Sequence, residues 1–322
     1  METLDHTHRS PVIAAFSPDT GAREPVEFGV AASRVTGAPL VVVVVVDTGS
    51  LHVHFGADEA PTLPGSIAES VRHLEHDLER RGIVAEIRPF EDSTAARGLA
   101  RAIDECSPEL VVVGSTSRAP RGAMLLGTTA ERVIHVSESP VAVVPNGYVR
   151  PDGGVATIGV ALPTQPESDE VLRVAGSLAR TGGAKLRVLT VIDPRHAQEE
   201  AHGLLAEQHH EVGTEAQTAA RMRFTIEANA RARLTELAGG VDAEIDVMID
   251  EPVRALVAAS AHLDLLVMGS RGLGPRRAVV LGSVSRRVVD RAACPVIVIP
   301  RGSEAKAEEL LADADAHAPS AT

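Results

Sequence analysis

A chain of 322 residues is long enough for two domains of about 150 residues each, and its 44% apolar content can fill two cores. Thirty-one basic against 44 acidic side chains leave a net charge of −13, and six aromatics (five Phe, one Tyr) offer few surfaces for base stacking, so no nucleic-acid partner is expected. Two cysteines cannot build a disulfide framework, Met1–Ser10 has no signal-peptide core, and the longest apolar run, Leu40–Val46, falls far short of the roughly 20 residues of a membrane span; a cytoplasmic protein away from membranes is expected.

In chain order, strand Val12–Phe16 leads to a helix from about Ala22 to Thr36 that Gly37 stops. Strand Leu40–Val46 is apolar on both faces, as buried parallel strands are. Helix Ser66–Arg81, strand Val84–Pro89, helix Thr94–Glu105, strand Leu110–Val113, helix Thr128–His135 and strand Val141–Val144 follow. A short linker, Gly147–Gly154, carries Pro151. The order then begins again: strand Thr157–Leu162, helix Glu167–Arg180, strand Leu186–Ile192, helix Glu215–Leu237 and strand Ala243–Ile249. Helix Pro252–Ala261, strand Leu265–Met268, helix Ser283–Arg291 and strand Val296–Ile299 complete it. The tail from Arg301 has few apolar residues and reads as a flexible extension, 301–322.

An internal repeat explains the second round. Glu109-Leu-Val-Val-Val-Gly-Ser-Thr-Ser117 returns as Asp264-Leu-Leu-Val-Met-Gly-Ser-Arg-Gly272, Leu126-Gly-Thr128 as Leu281-Gly-Ser283, and Ser139-Pro-Val-Ala-Val-Val-Pro145 as Cys294-Pro-Val-Ile-Val-Ile-Pro300. The offset is 155 residues at each place; earlier in the copies it is 146, so the second copy gains nine residues in its middle. That period is too long for a solenoid and marks a duplicated domain. The expected fold class is α/β: two doubly wound, Rossmann-like domains of five parallel strands in order 3-2-1-4-5, spanning 11–146 and 155–300. In that order strand five is an edge, and Val141–Val144 and Val296–Ile299 are short and uncharged; each needs cover, and the twin can supply it as an intramolecular pseudo-dimer.

The chemistry concentrates after the fourth strand of copy two. Gly269-Ser-Arg-Gly272, nine residues and then Gly282-Ser283 place glycines where backbone N–H groups can approach a ligand, and a helix start where an anion is favoured. Ligands of doubly wound sheets bind where the strand order reverses, between strands one and four. The pattern lacks the Gly-Lys-Ser/Thr of a Walker loop and is not the dinucleotide Gly-x-Gly-x-x-Gly. Glycine-rich loops in such folds also serve as plain turns.

This Gly-x-x-Gly, nine residues, Gly-Ser/Thr pattern, between Asp-Leu-Leu-Val-Met and Cys-Pro-Val-Ile-Val-Ile-Pro, resembles the universal stress protein family, over both copies and hence in its tandem form. The resemblance implies a stress-response regulatory protein that binds ATP, with or without Mg²⁺, mainly in domain 2. It implies phosphate and ribose contacts at Gly269, Gly272, Gly282 and Ser283, and an adenine contact at Val191. Arg271, Arg276 and Arg277 are candidate phosphate clamps, Arg271 foremost, and loop arginines equally often stay solvated or pair with carboxylates; Arg118 and Arg121 rank lower. Nucleotide binders of the family usually end strand one with Asp, where this chain has Ser17 and Pro163. Copy one keeps Gly114, Gly127 and Thr128 but has Ser117 at the second glycine, which weakens it as a site; Thr128 with Glu131 reads equally well as a helix capping box. The family also implies that the copies meet through their last strands, and a homodimer could use other surfaces.

Other readings stay beside this one. The chain could be a slow nucleotide-hydrolysing enzyme, though it shows no nucleophile elbow and no carboxylate pair by the loop, so no dedicated catalyst and no catalytic residues are expected. It could also be an interaction protein, with unidentified protein partners and no nucleotide. His52, His54, His202, His209 and His210 read as polar surface, so no metal site is expected, and Cys106 and Cys294 read as buried small residues.

Overall fold

The computed structural model describes residues 10–47, 65–163, 169–195, 224–236 (except 226 and 233), 242–270 and 281–300. The first half runs β1 Val12–Phe16, α1 Glu24–Thr36, β2 Leu40–Asp47, α2 Gly65–Arg80, β3 Glu86–Asp92, α3 Ala95–Cys106, β4 Leu110–Gly114, α4 Thr128–Val136 and β5 Val141–Val144. The second half runs β6 Thr157–Ala161, α5 Asp169–Gly182, β7 Lys185–Ile192, β8 Ala243–Ile249, α6 Pro252–Ser260, β9 Leu265–Gly269, α7 Ser283–Val289 and β10 Val296–Ile299. The described residues of 224–236 are helical, within the expected Glu215–Leu237.

The ten strands among the described residues form one sheet, in the order β3-β2-β1-β4-β5-β10-β9-β6-β7-β8. Within each half every pairing is parallel, and each half has the expected order 3-2-1-4-5. The halves join through one antiparallel seam, Val141, Ala142 and Val143 opposite Val298, Ile297 and Val296. The cover foreseen for the last strands is therefore mutual: each half protects the other's edge.

Strand alternation decides which helix goes where. On one face Val12, Ala14 and Phe16 of β1 pack with Val26, Phe28 and Val30 of α1, with α2 and with α5. On the other, Ile13, Val41 and Val43 pack with Leu99 and Ile103 of α3, with α4 and, in the second half, with α6 and α7. Gly37 ends α1 in the left-handed conformation, φ 72°, which only glycine takes without cost, and its N–H bonds to the Ser33 carbonyl.

The third strand departs from expectation. It was expected at Val84–Pro89, with proline as its end, yet β3 begins at Glu86 and runs on to Asp92. β3 is the sheet's outermost strand, so Pro89, opposite Val44, can lack an N–H and still sit within it. The linker folds back on the first half: Gly147 N–H donates to Glu24 Oε1 (2.8 Å), and the Tyr148 ring meets Phe28 edge-on at 5.9 Å.

Candidate functional site

From β1 the chain leaves through α1 on one face of the sheet, and from β4 through α4 on the other. The two connections diverge, and a crevice opens beyond the carboxyl ends of the strands. In the first half it is a cleft of about 1400 Å³, with Ser17, Asp19, Gly114, Ser117 and Arg121 in its walls. The linker forms a further wall through Tyr148 and Arg150. Sequence reasoning missed Asp19, two residues beyond Ser17, and both linker residues; nothing in the linker's spacing marks them.

The electrostatics of this cleft come from a chain of ion pairs on its rim. Arg81 lies between Glu27 (2.5 Å) and Asp77 (3.2 Å), Arg23 and Arg80 each reach Asp77 at 2.8 Å, and Arg150 lies 3.9 Å from Glu27. Burial works against the Asp77 carboxylate, but the bond from Arg81 and the charges of Arg23 and Arg81 outweigh it and hold its pKa below normal. The Tyr148 hydroxyl is buried without a hydrogen-bond partner. Burial first, and then the Asp264 carboxylate, push its pKa up to about 12.

The loop after β4 is closed on itself. Ser115 Oγ donates to the Leu125 carbonyl (3.0 Å) and accepts from Leu125 N–H (2.8 Å). The N–H groups of Ser115, Thr116, Ala119, Gly122 and Ala123 all have backbone acceptors, and that of Arg118 has Thr116 Oγ1. The N–H of Leu126 donates to Asp290 Oδ1 of the second half at 2.9 Å. Gly127 caps α4 with its backbone alone, and the exposed Thr128 is the first helical residue. That corrects the capping-box reading: Thr128 stands one place too late to cap, and Glu131 turns to Arg286 instead, at 2.7 Å.

In the second half the described part of the site has the same frame. Ser270 N–H donates to the Ile299 carbonyl, as Ser115 does to Val144. Ser285 Oγ donates to the Gly269 carbonyl (3.2 Å), tying α7 to the end of β9. Gly282 caps α7 without a side-chain bond, and Ser283 opens the helix, exposed. Val191, half-buried, is the penultimate residue of β7; Pro163 lies exposed just past β6. Arg271, Gly272, Arg276 and Arg277 lie outside the described residues, as do His52, His54, His202, His209, His210 and the tail 301–322. Among the described residues no group of three or more His, Cys, Asp or Glu could hold a metal.

Two glycines have a packing reason of their own. A Cβ on Gly269 would sit 3.1 Å from Val171 Cγ2, and one on Gly114 would sit 3.2 Å from Pro25 Cγ. Each lets the end of strand four press against the helix that follows strand one. Gly127 differs: a Cβ there would meet Thr116 at an ordinary 3.6 Å. Asp193, just after β7, is buried and accepts from Arg195 through N–H (2.9 Å), Nε (3.1 Å) and Nη2 (2.7 Å).

The model of the Universal stress protein family matches residues 9–145 and 155–300. A universal stress protein of Mycobacterium tuberculosis is 25% identical over 239 residues, 72% of this chain and 79% of its own length. Another from the same organism is 31% identical over 202 residues, 59% of this chain and 61% of its own. Among solved structures, a functionally unknown protein of Pseudomonas aeruginosa matches 96% of this chain and 99% of its own, with TM-score 0.62 and 15% identity. A universal stress protein of Archaeoglobus fulgidus matches 92% and 100%, with TM-score 0.55 and 20% identity. At these identities the structures show a shared fold.

Proposed function

With both halves matched, the chain belongs to the universal stress protein family, and on that premise we propose that it is a cytoplasmic stress-response regulator that binds ATP in domain 2. The contrast between the two loops carries this reading. Domain 1 has Ser117 in place of the second glycine, and at least eight of its loop N–H groups, those of residues 115, 116, 118, 119, 122, 123, 125 and 126, already have protein acceptors. A phosphate there would have to displace them. Domain 2 keeps the full glycine spacing, and α7, like α4, opens at a glycine with no side chain capping its first turn. Free N–H groups at a helix start favour an anion.

In this reading Gly272, Gly282 and Ser283 hold the phosphates, and Arg271 neutralises them, alone or beside Mg²⁺. Val191 meets the base, and Pro163 takes the place of the acidic residue that would hold the ribose. Gly269 contributes mainly by keeping β9 against α5. Domain 1 acts as a scaffold half, its Gly114, Gly127 and Thr128 forming a loop that needs no ligand. No residue is assigned to catalysis, and signalling passes through protein partners.

The test is nucleotide released from the purified, denatured chain, followed by calorimetry with ATP. One ATP per chain is expected. Replacing Gly272 and Gly282 together by valine should lower the affinity at least about tenfold, a loss of some 1.4 kcal/mol, while the circular dichroism spectrum stays unchanged; Gly282 has φ −59°, which any residue adopts. Equal affinity in the double variant rejects the site. Absence of nucleotide in both experiments favours a pure interaction protein, and steady turnover with Mg²⁺ an enzyme.

A further inference from the structure

The repeat that relates the halves also locates the axis between them. Residues 155 apart are equivalent in this part of the chain, and the structure agrees, since Gly127 and Gly282 each cap the helix after the loop. Glu131 of α4 then corresponds to Arg286 of α7, and Ala142 of β5 to Ile297 of β10. A two-fold axis sets equivalent residues face to face only where it passes between them. Both pairs face each other: Glu131 Oε1 lies 2.7 Å from Arg286 Nη1, and Ala142 lies opposite Ile297 in the antiparallel seam.

At both points the partners are unlike. One pair sets acid against base; the other, fully buried, sets a small side chain against a large one. If the same surfaces met between two copies of domain 1, Glu131 would face Glu131 and Ala142 would face Ala142, leaving a void. Between two copies of domain 2, Arg286 would face Arg286, and two isoleucines would compete for the room of one. The seam is asymmetric in a third respect. Asp290 accepts from Leu126 N–H, whereas its equivalent on domain 1, His135, makes a local contact to the Glu131 carbonyl.

We propose that Glu131/Arg286 and Ala142/Ile297 are specificity determinants: they make the exposed edge of domain 1 fit a domain 2 and reject a second domain 1. The partner for this surface is thus the unlike half, and the eight-residue linker supplies it within the same chain. Attraction in a partly exposed ion pair is small, but like charges brought together at a fixed axis discriminate more strongly than the pair attracts. Higher assemblies then leave this seam intact and use other surfaces. The inference does not depend on nucleotide binding.

The test uses the full chain. E131R and R286E are each expected to lower the thermal midpoint by about 2 °C, and E131R/R286E to restore it. I297A is expected to fall further, and A142I/I297A to regain at least half of that loss. Cross-linking reads the partner directly, in a C106S background with a bismaleimide reagent long enough to span an ion pair between long side chains. E131C/R286C should give an internal cross-link that runs as a single chain, while E131C alone should give no linked dimer. Linked dimers from E131C, a double cysteine variant that fails to close, or double reversals no better than the singles would each overturn the proposal.

Discussion

The two thiols show how much a side chain's surroundings decide. Cys294 is buried at the start of β10, and burial pushes its thiol up to about 12. At pH 8 about one molecule in 10⁴ then carries the reactive thiolate. Cys106 is half-buried; burial raises its pKa too, partly offset by the Arg88 guanidinium 3.3 Å from its sulfur. A thiol reagent at pH 8 should therefore modify Cys106 slowly and Cys294 only when denaturant is added. The glycines of the loop permit a parallel experiment. G269A and G114A each force a contact near 3.1 or 3.2 Å and should cost about 1 kcal/mol in chemical denaturation, while G127A should be neutral. At this scale the sequence was legible for type and not for reason. Gly114 and Gly269 stand out by spacing, yet their fixed contacts are with Pro25 and Val171, residues of another element that no local pattern could connect to them.

Between elements, single carboxylates do much of the joining. Asp264 Oδ2, just before β9, accepts from the N–H groups of both Ala156 and Thr157 at 2.9 Å, pinning the start of β6, the central strand of the second half, to the start of β9. D264A leaves two donors without this acceptor and is expected to cost about 1–2 kcal/mol, measured by urea unfolding. Asp77 joins α2 to α1 through Arg23 and Arg81. Its pKa lies below the ordinary 3.8, so the folded state holds its proton less tightly than the unfolded chain does. That contribution is complete above pH 3.8 and is lost as the pH falls through the lower, folded value. The acid limb of the stability curve should accordingly be shallower in D77N. Helix and strand periods made most elements readable, because each half hides one face of every helix and both faces of its inner strands. Boundaries failed where context overrode local preference. Pro89 looked like a strand end until the strand proved to be outermost, and Thr128 looked like a cap until the glycine before it took that place.

For the whole molecule, the duplication carried the architecture. A repeat at constant offset, with five apolar segments per copy, specified two doubly wound halves, and the bare character of the final strands specified where they would meet; the continuous sheet has that arrangement. The ends of the sheet are blunted differently. β3 presents Glu86, Arg88, Glu91 and Asp92 beside its proline, and β8 presents Glu244 and Asp246; charged and proline-bearing edges discourage further pairing. What stayed hidden was the coupling across the seam, since Leu126–Asp290 and Glu131–Arg286 link residues 164 and 155 positions apart with no local signature of either contact.

That seam also sets a clock. β5 is complete when Val144 has been made, but its partner ends at Ile299, 155 residues later. At a synthesis rate of about 5–20 residues per second, the interval is roughly 8–30 s, far longer than the folding time of a typical small domain. During each round of translation a first half that folds before its twin is made presents a bare row of N–H and C=O groups, Val141 to Val144, to its surroundings. Neighbouring ribosomes on one message hold several such edges close together. If Glu131 rejects its like, as proposed above, the same glutamate on α4 keeps nascent first halves apart until their own second half arrives.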